Sequence, residues 1–233
     1  MGHGRVRRAA GQVIVEVMSV QKWERRSVAI DGLAGTGKST LARSLASRLG
    51  LTFLDTGATY RAVGLVAMEA HADLSDASAV IKAWNGHGLG FAGGRLTIDG
   101  ADREEAIRTA AVSESASRVA IHPQVRRMLA DWQRGFVKEC KGAVAEGRDI
   151  GTVVLPGAGL KVFLVARDEV RTSRRGEVTA AELAKRDIRD ATRRADPVRS
   201  AADAVVMDTS EREIEELIEE LAGIYWLTVG SNE

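Results

Sequence analysis

The sequence is poor in the residue types that build several common kinds of protein. It has a single cysteine, Cys140, in 233 residues. One cysteine cannot form an internal disulfide framework, and a reduced intracellular compartment fits that. The four histidines, His3, His71, His87 and His122, lie too far apart for metal-ligand spacing. Aromatic residues make up only 4%, few for a surface that would stack on bases. Charge of one sign is also missing, since 33 basic and 32 acidic residues leave a net +1. No overall field therefore draws the chain to nucleic acid or to an anionic membrane. Near the N-terminus, Val13, Ile14 and Val15 are apolar, but Gln12 and Glu16 interrupt them. That run is far short of the ~20 apolar residues of a membrane-crossing helix.

What is present is an ordinary globular balance, 45% apolar and 28% charged, with enough apolar side chain for a sizeable core. The length corresponds to one or two domains. Among the basic residues, 26 are arginine and 7 lysine. A codon bias towards arginine explains this as well as a need for phosphate-binding forks does, so position must decide. Residues 1–26 read as a disordered extension. There Arg5, Arg7, Arg8, Lys22, Arg25 and Arg26 meet only Glu16 and Glu24. Met18, shortly before the first apolar run, is a candidate start.

From residue 27 the chain alternates. Residues 27–31 (SVAID) and 51–55 (LTFLD) are short apolar runs, each followed by a helical pattern, over 38–49 and 58–71. Leu41, Leu45 and Leu49 share one helical stripe that Gly50 terminates. Further strands are predicted over 143–146, 160–166 and 204–208, and a last helix over 213–225. Strand and helix in alternation argue for a parallel sheet covered on its faces. Residues 72–110 break the rhythm. They hold a helix over 76–84 and two strands flanking Gly93-Gly94, a hairpin signal that marks an inserted subdomain.

The turn after the first strand reads Gly32-Leu33-Ala34-Gly35-Thr36-Gly37-Lys38-Ser39, the pattern G-x-x-x-x-G-K-[ST]. Glycines let backbone N–H groups turn towards phosphate oxygens, and the helix N-terminus adds a positive dipole end. Lys38 supplies a cation for the β- and γ-phosphates and Ser39 a hydroxyl for Mg²⁺. A strand before and a helix after are the context this pattern requires. The expected ATP site is therefore Gly32, Ala34, Gly35, Thr36, Gly37, Lys38, Ser39 and Thr40. The reaction is not specified by the loop. A guanine-reading N-K-x-D tetrapeptide is absent. The run 205–208 resembles a catalytic acid at a strand end, but it reads better as the end of the last strand.

A second set of arginines points to a second anion. Arg61 lies one turn into the helix after the 51–55 strand, and Arg148 follows another strand in Glu146-Gly147-Arg148-Asp149. Ligands of open α/β sheets bind beyond the carboxyl ends of strands. Arg186, Asp190 and Arg193 share one helical face, either facing this cleft or forming a solvated ladder.

Together these stretches resemble the bacterial cytidylate kinases, a family of nucleoside monophosphate kinases. The resemblance runs from about residue 27 to 210. It is carried by DTGATYR, EGRDIGTVV and RDIRDATR together with the phosphate loop. It implies a five-stranded parallel α/β phosphate-loop kinase core with helices on both faces, an inserted monophosphate-binding subdomain and a lid. By that reading 27–225 is the kinase domain, with core 27–71 and 111–210, insert 72–110, lid 174–194, C-terminal helix 211–225 and tail 226–233. The resemblance implies that Ser117, Arg126 and Asp149 read cytosine. It also implies that Arg61, Arg148 and Arg193 hold the CMP phosphate, with Arg186 and Asp190 on the ribose. Thr56 would lie beside the acceptor nucleotide and Arg174 near the transferring phosphoryl. Lys38, Arg148, Arg174 and Arg193 would then be catalytic. An ionised Asp149 accepts from the amino group of cytosine and opposes the carbonyl of uracil. Leu33 stands where the family has proline. Only ten residues, 176–185, separate Arg175 from Arg186, about half the family's lid, so the lid is read as truncated at its tip.

The implied activity is MgATP + CMP (or dCMP) ⇌ MgADP + CDP (or dCDP), in a cytoplasmic monomer without nucleic-acid or membrane partners. Two other readings stay open at this point. One is a phosphate-loop kinase for uridylate or a metabolite acid; the other is a nucleotide-binding regulator with little catalysis, which the short lid favours.

Overall fold

The computed structural model describes residues 5–9, 12–16, 20–174, 179–192 and 196–230. Strands β1 (Arg5–Ala9) and β2 (Gln12–Glu16) pair antiparallel and lead to a short helix α1 (Lys22–Arg25). Then follow β3 (Val28–Gly32), α2 (Lys38–Leu49), β4 (Thr52–Asp55) and α3 (Thr56–Glu69). The inserted part holds α4 (Ala77–Trp84) and strands β5 (Leu89–Ala92), β6 (Arg95–Ile98) and β7 (Ala101–Asp102). The chain returns through α5 (Ala110–Val119), α6 (Pro123–Glu139), β8 (Ala143–Gly147) and β9 (Leu160–Val165). It ends with α7 (Asp168–Ser173), α8 (Ala180–Thr192), β10 (Val205–Asp208) and α9 (Ile214–Thr228).

Five strands form one parallel sheet in the order β10-β9-β3-β8-β4. Of the three interior strands, β3 and β8 are buried at every residue, as parallel strands covered on both faces are expected to be. Side chains alternate across the sheet. Val28 and Ile30 pack with α2 and α9 through Leu41, Leu45, Leu217 and Leu221. Ala29, Leu54 and Ala145 face the other way, towards Ala130 and Val137 of α6. Helices therefore cover both faces, as the alternating pattern predicts.

The insert is not a separate body. Val80 and Trp84 of α4 and Leu96 and Ile98 of β6 share one core with Val63 and Val66 of α3 and Val112 of α5. Its three-stranded antiparallel sheet β5-β6-β7 stands apart from the parallel sheet. Caps define the helices beside it. The Asp55 carboxylate accepts from Ala58 N at 2.9 Å, and the Thr109 hydroxyl from Val112 N at 3.3 Å.

Of the N-terminal segment, residues 5–9, 12–16 and 20–26 are described. Besides the β1–β2 ladder, Trp23 packs onto the α6 side of the core, Gly157 N donates to Glu24 at 2.6 Å and Tyr225 Oη donates to the Arg26 carbonyl at 2.9 Å. These contacts are tertiary, so local composition gave no sign of them. The last helix also continues to Thr228, beyond the 225 expected, because Val229 still packs into the core. No described helix is long and apolar enough to cross a membrane.

Candidate active site

Strand β3 delivers the chain into the phosphate loop. Gly32 (φ +149°) runs against β9, where a Cβ would lie 2.4 Å from the Leu164 carbonyl oxygen. Gly35 (φ +80°) faces α7, where a Cβ would meet the Arg171 carbonyl at 2.7 Å. Only glycine fits both conformation and space at these two positions. The Lys38 ammonium folds back over the loop, donating to the Leu33 carbonyl at 2.6 Å and reaching Thr36 Oγ1 at 3.4 Å. The loop is braced from outside: Arg171 Nε donates to the Ala34 carbonyl at 2.8 Å, and Thr209 Oγ1 to the Thr36 carbonyl at 3.0 Å. Arg174 is held on Thr209 through Nη1 at 2.9 Å and Nη2 at 2.6 Å. A hollow beside the loop is lined by Gly35, Gly37, Thr40 and Arg174. Gly32 and Ala34 shape the loop without lining that hollow.

A second cleft opens beyond the carboxyl ends of β4 and β8. Thr56 and Arg61 come from α3, Ser117 from α5, Arg126 from α6 and Arg148 and Asp149 from the end of β8. Asp190 enters from α8. The structure thus brings seven of the nine residues expected at the acceptor into one cleft. Of the other two, the Arg186 side chain and the whole of Arg193 lie outside the described residues. Lys38 and Ser39 line both hollows, so the phosphate loop is the shared wall between them.

The cleft's charges are arranged before any ligand arrives. Arg126 is buried (4% side-chain exposure) and pairs with the Asp149 carboxylate, while its Nε donates to Asp196 at 2.9 Å. Burial acts to lower the Arg126 pKa, but the oxygens of Tyr60, Asp149 and Asp196 outweigh it and hold the pKa above its ordinary value. Arg148 Nε donates to Asp190 at 2.9 Å. Arg61 is different. Its Nη1 is buried without a hydrogen-bond acceptor, and its nearest carboxylate, Asp55, lies 3.7 Å away. A buried guanidinium donor left open at a cleft wall calls for an anionic ligand.

Acids also gather here. Asp55 and Glu146 are register partners at the ends of β4 and β8. Burial, then the nearby Asp55 charge, push the Glu146 carboxyl up, and the Ser39 hydroxyl partly counters this by hydrogen bonding to it. Asp31, at the end of β3, is pushed up to about 6 by burial, although Ile150 N and Gly151 N each donate to it at 2.8 Å.

Several of these residues escaped the sequence reading. Glu146 ends an apolar strand, the signal sought at 205–208. Asp208 instead sits on an edge strand, where it accepts from Ser210. Arg189 is a second omission. Its Nη1 donates to Ser117 Oγ at 2.6 Å, and it also pairs with Glu114. It lies one turn from Arg186 and so borders the same helical face, but it falls outside the i, i+4, i+7 set formed by 186, 190 and 193. Asp196 carried no sequence signal.

A phosphate loop between a buried strand and a helix, sharing a wall with an arginine-lined cleft, defines a phosphate-loop phosphotransferase that takes a second anionic substrate. Comparison with known proteins narrows the class. A profile of the cytidylate kinase family matches residues 28–225. A cytidylate kinase from Nocardia farcinica is 41% identical over 213 residues, covering 84% of this chain and 92% of its own. One from Rhodococcus opacus is 44% identical over 207 residues (82% and 90%), and one from Solibacter usitatus 40% over 222 residues (89% and 95%). The chain belongs to the cytidylate kinase family.

Proposed function

We propose that this chain transfers the terminal phosphoryl group of ATP to CMP or dCMP, yielding ADP and CDP or dCDP. The observation that carries the reading is the shared wall: Lys38 and Ser39 border both the loop-side hollow and the arginine cleft. A group leaving a nucleotide held by the loop has only to cross that wall.

In this mechanism a phosphate oxygen of CMP attacks the γ-phosphorus in line. The bond from γ-phosphorus to the β,γ-bridging oxygen breaks, and its electron pair stays on ADP. The attacking oxygen is already anionic, so no strong general base is needed. Lys38 moves from the Leu33 carbonyl and the Thr36 hydroxyl to the β- and γ-phosphates and offsets their charge. Arg61 and Arg148 hold the acceptor phosphate, with Arg193, so that two polyanions can approach. Arg174 stabilises the transferring group from the donor side. Arg126 and Asp149 read the base edge with Ser117, and Arg186 and Asp190 orient the ribose. Thr56, whose hydroxyl donates to the Glu146 carbonyl at 2.6 Å, shapes the floor beneath the acceptor.

The oxygen donors beside the loop fit a hard divalent cation. Among the described residues no group of three or more histidines, cysteines or carboxylates is arranged to hold a metal alone, so most ligands would come from the nucleotide and water. Ser39 would ligate Mg²⁺, with Glu146 and Asp55 beside it, and the ion would neutralise charge on the phosphates. One chain provides both substrate sites, so we take the working unit to be a cytoplasmic monomer.

The test is an acceptor panel of CMP, dCMP, UMP and AMP with ATP, counting ADP and the nucleoside diphosphate formed. CMP and dCMP should dominate. Equal use of UMP would assign a broader pyrimidine or metabolite kinase, and no product with any acceptor would assign a nucleotide-binding regulator.

A further inference from the structure

A cavity of about 880 Å³ lies away from both substrate hollows and shares no lining residue with either. Its walls are α1, the stretch 151–161 leading into β9, and the stretch 199–203 leading into β10. A volume of this order accommodates a nucleotide-sized molecule. We propose that it is a second binding site, for a small molecule carrying two or more linked phosphates.

The charge around the cavity carries this assignment. Lys22, Arg25, Arg26, Lys161 and Arg199 line the cavity, against one lining carboxylate, Asp203. Asp203 is committed to Lys161 at 2.7 Å. Glu24, on the same helix as Arg25, is committed to the wall residue Gly157, whose N donates to it at 2.6 Å. No hydrogen bond or ion pair engages the side chains of Lys22, Arg25, Arg26 or Arg199 among the described residues. Elsewhere the arginines are mostly paired, as Arg126, Arg148, Arg171 and Arg189 show. Four unpaired cations around one hollow repel each other, and a polyanion relieves that repulsion. Three of them are guanidinium forks, suited to bidentate contact with phosphate oxygens. Val20, Pro156 and Val229 provide an apolar floor on which a nucleoside ring can rest.

The ligand's chemistry, linked phosphates, occurs both in nucleotides and in free polyphosphate. Titration of the isotope-labelled full chain with ATP, with inorganic tripolyphosphate and with adenosine, read by amide NMR, separates these sources. Saturable shifts at Gly157, Ala201 and Ala202 are expected with both phosphate compounds. Tighter binding of ATP identifies a nucleotide site, and equal binding a polyphosphate site. The double variant Arg25→Glu, Arg199→Glu should weaken the response at these amides at least about tenfold. The response of Gly35 and Gly37 in the phosphate loop should stay as in the wild type, which checks the fold. Absence of shifts around the cavity at millimolar ligand overturns the proposal. So do shifts of equal affinity in the charge-reversed variant, or adenosine acting as well as ATP.

Discussion

Asp149→Asn probes base recognition most directly. The Asp149 side chain is 8% exposed and paired with a buried Arg126. As a carboxylate it can only accept, which favours the exocyclic amino group of cytosine over the O4 carbonyl of uracil. Asparagine keeps the shape, and its amide can turn its N–H₂ towards a carbonyl. One such contact in a closed site discriminates by about 1–3 kcal/mol, or roughly five- to 150-fold. The ratio of kcat/KM for CMP to that for UMP should fall by that factor. The substitution also removes one of two charges facing Arg126. Breaking a buried pair typically costs ~3–5 kcal/mol, but Asp196 still accepts from Nε at 2.9 Å. The loss of stability should therefore fall below that range, and a thermal melt would verify that the variant remains folded. A ratio of two kcat/KM values does not depend on how much enzyme is active. A folded variant with an unchanged ratio would place base recognition elsewhere and refute the reasoning.

Other outcomes follow from the same geometry. Lys38→Met should lower kcat by ~10²–10³ while preserving the fold, since a preorganised charge at the transferring group is lost; wild-type turnover would remove Lys38 from the chemistry. Arg148→Ala should raise KM for CMP far more than for ATP, by roughly 1.5–3 kcal/mol; a selective fall in ATP affinity would reverse the assignment of this arginine. Asp31, raised from 3.8 to about 6 by burial, favours its protonated form in the fold. Its contribution to stability is complete below its unfolded pKa and is lost as pH rises through about 6, some 3 kcal/mol in all. Asp31→Asn should remove that component of the pH dependence in urea titrations, and parallel profiles for the two proteins would contradict it. Only ten residues separate Arg175 from Arg186, so the segment expected to act as a lid should admit water and ADP should form in excess over CDP; a strict one-to-one ratio, with no ADP when CMP is omitted, would show a sealed site.

Much of this protein is legible from local chemistry. Residues 27–31, 143–146 and 160–166 read as strands because runs buried on both faces must be almost wholly apolar, and β3, β8 and β9 lie there. The phosphate loop is legible because its geometry demands glycine, lysine and serine within eight consecutive residues. The hairpin around Gly93-Gly94 is a turn, and turns are local. What sequence spacing left open was decided by strand order. Placing β8 between β3 and β4 brings Glu146 beside the phosphate loop and Asp55 beside Glu146, although Asp55 and Glu146 are about ninety positions apart in the chain. Pairings such as Arg126 with Asp196 and Arg189 with Ser117 join elements whose separation in sequence carries no period. The docking of Trp23 and Arg26 against the core likewise depends on surfaces that exist only once α6 and α9 are in place. Periodicity reports which face of an element is buried, whereas the partner it is buried against is a property of the assembled sheet and helices.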